Sequence, residues 1–335
     1  MKVLFDSRWI GPHGIGRVAQ EYRAMLGEQF EIVDLDHGSA PSGKWDSVLT
    51  ARAFARSKAD VFFTPGYNGS PFITGPQVIM IHDLIHLQPG QPGRGIRALY
   101  YDTVIRAAAR RSLVVTVSHF SKAVIERRWP ELAGRLVVIP NGISAPFCTP
   151  RPISAARAGI VVFTNERWHK NFDGMCRALV AWQAADDQAK AHPVYFVGRP
   201  VDAAAHPQFA RIRNCVTVHS ADDAALGDLL ASSAALLNCS YHEGFGLPVV
   251  EALATGCVPV VSDLPVFREV AGGEGVFADP CDPTSIAQAL YRAIRTSVPV
   301  AVSDAVKRRF TWEHSGRRMI SAVWGASGLD PGRPR

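Results

Sequence analysis

The sequence predicts an α/β protein made of two parallel-sheet units in tandem. Short β-branched runs alternate with longer amphipathic stretches along almost the whole chain. The alternation restarts after a proline-rich connector, "APFCTPRPISAARAG", at residues 145–159. At 335 residues the chain also exceeds one common domain size. Short apolar runs separated by helical patterns give parallel sheets covered on both faces.

In the first unit the apolar runs predict strands at residues 2–6, 60–64, 77–81, 113–117 and 136–139. In the second they predict strands at 159–164, 193–197, 216–218, 234–238, 258–262 and 276–278, with helices at 172–188, 222–232 and 248–255. The expected domains are residues 1–150 and 151–309, followed by a Trp-containing helix at 310–326. Ligands of such sheets sit beyond the carboxyl ends of the strands, so two sheets facing each other would form a cleft between domains.

Composition narrows the function. A hydrophobic share of 47% with 20% charged residues is that of a soluble globular chain rather than a disordered one. No apolar run approaches the roughly 18 residues of a spanning helix, and the N-terminal apolar burst is too short for a signal peptide. A cytoplasmic protein is expected. The net charge of +6 and pI near 9.1 fit an anionic partner or, equally, a solubilising surface. The arginines are dispersed without an aromatic-interleaved stripe, which argues against nucleic acid. Pairs such as Arg110–Arg111 and Arg317–Arg318 read as solvated helix faces, one of which could touch anionic lipid. Six cysteines without a CxxC pair argue against a zinc site or a disulfide framework, and most are expected to be buried thiols.

The stretch "YHEGFGLPVVEALATGCVPVVSD", residues 241–263, concentrates the chemistry. It follows the strand expected to end at Asn238. Gly244 and Gly246 let a backbone approach a ligand closely. Pro248 suits a first helical turn, and a helix start after such a loop offers free N–H groups to an anion. Glu251 is expected in that first turn, and Gly256 as the cap that ends the helix. Carboxylates such as Glu243 and Glu251 can accept from paired hydroxyls of a sugar or ribose. The bland alternative is that Glu251 only complements the helix dipole.

Residues 243–252, "EGFGLPVVEA", match the E-G-F-G-L-P-x-x-E-A hallmark of the retaining nucleotide-sugar glycosyltransferases of family four, which have the GT-B fold. The segment "GCVPVVSDLPVFREVAGGEGVFADPCDP" (256–283) is similar to that family as well. The resemblance implies two Rossmann-like domains facing an interdomain cleft, and a nucleotide-sugar donor. It implies that Glu243 contacts hydroxyls of the donor sugar, that Glu251 holds the ribose diol, and that the backbone of Gly244, Phe245, Gly246 and Leu247 brackets sugar and diphosphate.

Other segments join this resemblance. "GPHGIGRVAQEYRAML" (11–26) opens a helix after the first strand and is similar to the G-I-G-R-Y opening of the mannosyltransferase-like branch. Gly14 and Gly16 would lie where backbone approaches phosphate. His82, in "QVIMIHDLIHL", follows a very apolar strand, and the resemblance implies that it orients the donor sugar. Ser118 fits an N-cap and Asn141–Gly142 a turn pair, both architectural, although Ser118 or Ser121 could line the cleft. In "VVFTNERWHKNFDG" (161–174) Lys170–Asn171 matches the family's K-N, but Thr164 replaces a glycine and Asn165 stands where an Arg often lies. Lys170, and Arg167 in place of the missing Arg, would stabilise the leaving diphosphate. Their position before a helix puts positive charge at the unfavourable end of the dipole, which points to an anionic ligand.

The implied activity is hexosyl transfer with retention to an acceptor hydroxyl, with His82, Lys170 and Glu243 as the catalytic set. It implies no cofactor and no bound metal, and no D-x-D motif follows a strand here. The resemblance leans to GDP-mannose as donor. The acceptor is left open among a glycan, a lipid-linked glycan at the inner membrane face and a small molecule. An epimerase or hydrolase on the same fold and a non-catalytic sugar-nucleotide binder are the alternatives.

Overall fold

A computed structural model describes residues 1–89, 91, 93–149, 157–219, 221–295 and 304–329. Contacts divide the chain into two units: Met1–Gly142 together with the segment from Trp312, and Ile143–Thr311. The boundary expected at residues 150–151 lies outside the described residues, as does the middle of the proline-rich connector. The described part of the connector contributes a short helix, Ala145–Cys148.

In the first unit a six-stranded sheet runs in the order β2 (Glu31–Asp34), β1 (Lys2–Phe5), β3 (Val61–Thr64), β4 (Gln77–Met80), β5 (Leu113–Thr116) and β6 (Leu136–Val138). Every pairing is parallel. The inner strands are apolar throughout because both faces are covered: Val61, Phe62, Phe63, Val78, Ile79 and Met80 are fully buried. The terminal helix Trp312–Ser327 packs on the helix Gly14–Gly27 of this unit. Trp312 meets Tyr22 edge-on at 5.6 Å. A Cβ on Gly316 would fall 2.3 Å from Met25 Sδ, so glycine sets how closely these helices approach.

The second unit has its own six-stranded parallel sheet, in the order β12 (Val276–Ala278), β11 (Val258–Ser262), β10 (Ala235–Asn238), β7 (Ile160–Thr164), β8 (Val194–Gly198) and β9 (Cys215–Val218). The chain lays β8 and β9 on one side of β7 and β10 to β12 on the other. The order therefore reverses between β7 and β10, which makes that crevice the place where a doubly wound sheet binds ligands.

The eleven expected strands are present with ends within one residue of those read from the sequence. One strand was not legible. β2 is an edge strand with only Ile32 and Val33 partly covered between exposed Glu31 and Asp34, too little apolar pattern to register. The helix expected over 172–188 ends at Ala185. Asp186 turns to φ −145° and its carboxylate accepts from the Gln188 N–H, starting a separate turn, Asp187–Ala191. Asn141–Gly142 forms no turn. Gly142 is needed there because a Cβ would meet the Trp312 backbone nitrogen at 2.4 Å.

Candidate functional site

The reversal of strand order brings together two loops that are far apart in sequence. The loop after β7 carries Lys170 and the loop after β10 carries Glu243. Lys170 Nζ lies 2.5 Å from Glu243 Oε1. Glu243 is 9% exposed, and its Oε1 also accepts from Ser240 Oγ at 3.0 Å. Ser240 is held in turn, since its carbonyl accepts from Ser262 Oγ at the end of β11 at 2.5 Å. Asn171 fixes the other side. It takes a left-handed conformation (φ 53°), and its Nδ2 donates to the carbonyls of Cys239 (2.9 Å) and Pro280 (2.8 Å). Asparagine tolerates that backbone, and its amide satisfies two carbonyls that the loops would otherwise leave unpaired. Lys170 does precede a helix, Phe172–Ala185, at the unfavourable end of the dipole. Within the protein, Glu243 answers that charge.

Gly244 and Gly246 follow at once. Gly246 has φ +96°, and a Cβ there would lie 2.7 Å from the Phe267 ring, so both conformation and space demand glycine. It is the N-cap of the helix Leu247–Thr255, which Gly256 closes in a left-handed cap at φ 76°. The Phe245 ring points into packing, 5.4 Å edge-on from Phe310 and 5% exposed, so only its backbone is available to a ligand. Glu251 departs from expectation. The helix begins at Leu247 and no acidic residue lies in its first turn. Glu251 is its fifth residue, buried at 3% exposure, so a simple role at the helix dipole does not explain it.

Arg167 is exposed. Asn165 serves the turn instead of supplying charge, its side chain accepting from the Arg167 N–H at 3.1 Å. The Thr164 hydroxyl bonds the Arg199 carbonyl at 2.8 Å across to the end of β8. Between Arg167 and Lys170, Trp168 is 38% exposed, 6.2 Å from the Tyr241 ring in a stacked pair and 5.3 Å from His242 edge-on. This aromatic shelf beside Glu243 was passed over in the sequence, although Trp168 and His242 directly flank the charged motifs.

In the first unit His82 follows β4. Its Nε2 donates to the Pro65 carbonyl at 2.8 Å, leaving Nδ1 as the acceptor. Burial lowers its pKa, against the Pro65 hydrogen bond and the charge of Asp83, so the neutral ring is favoured. Gly14 opens the helix Gly14–Gly27, and a side chain at Gly14 would meet nothing. Gly16 is needed for an internal reason: a Cβ would fall 2.1 Å from the Gly11 carbonyl. Its N–H is already engaged by His13 Nδ1 at 2.9 Å, which removes one donor that a phosphate could have used. Ser118 caps its helix, accepting from the Ser121 N–H at 3.0 Å. Ser118 and Ser121 are both buried.

A buried ionic network at the reversal point of the first sheet was also missed. Arg8, just past β1, bonds both oxygens of Asp6 at 2.7 Å and Asp46 at 2.7 Å. Asn68 joins it, donating to Asp6 at 2.8 Å and Asp46 at 3.1 Å, while Trp9 Nε1 donates to Asn68 at 2.6 Å. Burial works against the charge of Arg8, but the two carboxylates outweigh it and raise its pKa. The signal available in sequence was Asp6-x-Arg8 standing directly at the end of a buried strand.

Cysteine burial is also less general than expected: Cys176, Cys239 and Cys257 are buried, Cys148 is half-buried, and Cys215 and Cys281 are exposed. The paired arginines are exposed as expected. Among the described residues no helix is long and apolar enough to cross a membrane.

Residues 158–296, which hold β7 to β12 and the Lys170–Glu243 site, match the family described as "Glycosyl transferases group 1". The second unit is therefore similar to a group 1 glycosyl transferase domain. The chain is 25% identical over 216 residues to O-antigen chain mannosyltransferase RfbU of Salmonella typhimurium, covering 62% of this chain and 58% of that one. It is 24% identical to a GDP-mannose:cellobiosyl-diphosphopolyprenol alpha-mannosyltransferase of Xanthomonas oryzae, covering 93% and 92% of the two chains. The chain spans 27%, 58% and 48% of the length of three mannosyltransferases it matches, RfbU among them. Its fold is GT-B. Anabaena HepE, in a crystal structure with UDP and glucose, superposes with a TM-score of 0.74 at 16% identity, covering 97% of this chain and 100% of HepE. WaaG, a glycosyltransferase of lipopolysaccharide biosynthesis, superposes at 0.70 and 13% identity, covering 99% and 100%.

Proposed function

We propose that this glycosyl transferase moves a mannosyl unit from GDP-mannose to a hydroxyl of a lipid-linked glycan, with retention at the anomeric carbon and without a metal ion. The carrying observation is the Lys170–Glu243 pair beside the Gly244–Gly246 loop, at the strand-order reversal of the second unit. The donor is supported by relatives, several of which are named for GDP-mannose and for a diphosphopolyprenol acceptor. A cytoplasmic setting goes with this reading.

In the proposed step the bond between the anomeric carbon and the diphosphate oxygen breaks and a bond to the acceptor oxygen forms on the same face. The acceptor proton passes to the departing phosphate oxygen. Lys170 and Arg167, with the N–H groups that open the helix Leu247–Thr255, meet the charge that develops on the diphosphate. Glu243 takes sugar hydroxyls and keeps Lys170 in place, so it positions the donor and is not a nucleophile. Glu251 takes the ribose diol. His82, neutral with Nδ1 free to accept, orients a sugar hydroxyl.

The test is a thermal-shift series with GDP-mannose, UDP-glucose, UDP-N-acetylglucosamine and ADP-glucose, followed by a transfer assay with a polyprenyl-diphosphate glycan. A donor at a hundred times its dissociation constant stabilises by about 2.7 kcal/mol. Stabilisation by UDP-sugars and not by GDP-mannose overturns the donor. Donor cleavage that proceeds equally with no acceptor marks a hydrolase instead.

A further inference from the structure

Among the described residues, the large hydrophobic side chains of the second unit that reach solvent are Trp168, Val216 and Tyr291. Val216 lies on the edge strand β9, and the Tyr291 ring is covered by the Arg295 guanidinium at 4.4 Å. Trp168 stands two residues before Lys170, beside the Lys170–Glu243 pair. The backbone holds it in place. It opens the turn Trp168–Lys170, and its carbonyl accepts from the Asn171 N–H at 3.2 Å. The next carbonyl, of His169, accepts from the Tyr241 N–H at 2.7 Å, so the loops after β7 and β10 are joined backbone to backbone here. The Tyr241 ring lies nearly parallel to that of Trp168, with 22° between the planes, and His242 meets it edge-on.

The loop after β10 changes character at Glu243. Gly244, Phe245 and Gly246, which follow it, are buried, whereas Tyr241 and His242, which precede it, are half-buried and Trp168 across from them is exposed. The enclosed half suits the donor, and the open half suits a second substrate that must reach the donor from solvent. Flat rings beside a carboxylate have a specific chemical counterpart. A pyranose ring presents a face of C–H bonds, which the negative face of an aromatic ring attracts, and a rim of hydroxyls, which can donate to a carboxylate. A nucleobase would stack equally well but brings no such rim. We propose that Trp168, backed by Tyr241 and His242, is the platform on which the terminal pyranose ring of the acceptor stacks, and that it thereby selects the acceptor sugar. This rests on the proposed reaction for the ring's role as acceptor, while the affinity of the shelf for a sugar ring stands without it.

The experiment is saturation-transfer NMR of the full chain with the methyl glycosides of mannose, glucose, galactose and N-acetylglucosamine. The expected result is transfer to at least one glycoside, strongest at its ring C–H protons. Trp168→Leu, apolar but not flat, should weaken that binding by about tenfold, and Trp168→Phe by less. Circular dichroism and the donor-induced thermal shift should be unchanged in both. In the transfer assay Trp168→Leu should raise the acceptor KM by about tenfold with kcat within about twofold. Fluorine NMR of the fluorotryptophan-labelled protein reads the contact without the leucine variant: the resonance absent in Trp168→Phe should move when the bound glycoside is added. No transfer to any of the four, equal binding by Trp168→Leu, or a resonance that stays still overturns the proposal. So does displacement of the glycoside by GDP or GDP-mannose, which would assign the shelf to the donor. Glycoside binding that needs Trp168, with no stabilisation by GDP-mannose, defeats the proposed donor and leaves the shelf standing.

Discussion

Lys170 and Glu243 are 73 residues apart in sequence, yet their side chains meet at 2.5 Å because β7 and β10 are neighbours in the second sheet. The lysine side chain keeps 26% of its surface and the glutamate 10%, so the carboxylate depends more on its partner. Lys170→Met removes the cation from a nearly buried carboxylate and should lower unfolding free energy by roughly 2 kcal/mol. Glu243→Gln should cost less, since Ser240 Oγ can still donate to the amide oxygen. Urea denaturation of both variants checks the order. If the proposed reaction holds, each variant also loses about a hundredfold or more in kcat/KM.

Gly246 sits where no side chain fits. Gly246→Ala combines a φ of +96° with a Cβ 2.7 Å from the Phe267 ring. The expected loss is roughly 1–3 kcal/mol of stability, with weaker donor binding because the start of the helix Leu247–Thr255 must shift. Calorimetry and donor titration read the two effects. Gly14→Ala, where a Cβ meets nothing, is the control and should be nearly silent.

His82 gives a pH dependence with a definite sign. Its folded pKa is depressed by burial, whereas the unfolded chain protonates it near the ordinary value of about 6.5. Below that value the unfolded state binds more protons, so stability falls with pH until the folded pKa is reached. Above it His82 contributes no slope. Denaturation midpoints at about pH 7.5 and about pH 5.5 should therefore converge in His82→Gln relative to the wild type. An unchanged difference would show that the acid sensitivity comes from elsewhere.

The cysteines should divide by access. Burial pushes the thiols of Cys176 and Cys257 up to about 12 and raises that of Cys239 as well, so all three are both enclosed and protonated. Cys215 and Cys281 are exposed. A maleimide titration of the native protein should label Cys281 and Cys215 first and Cys148 more slowly. The buried three should react only in denaturant. Mass spectrometry of the labelled peptides gives the order directly.

Much of the architecture was legible because parallel strands covered on both faces must be apolar throughout. Eleven of the twelve strands stand in the sequence with their limits almost unaltered, the exposed edge strand β9 among them because its Val-Thr-Val run is β-branched. β2 was missed because an edge strand needs little apolar surface. Gly246 and Gly256 were legible as loop and cap for the same kind of reason: few residues but glycine accept a positive φ. These are local demands, and local sequence carries them.

What the chain alone could not give was the pairing of charges. Nothing within residues 161–174 shows that Lys170 is answered by Glu243 and not by a ligand. Residues around Asp6 do not show that Arg8 will be shared with Asp46, from a helix after the next strand. Such partners are fixed by strand order and by where each loop leaves its sheet. An ion pair is a relation across space, and its strength depends on burial that only the assembled sheets create.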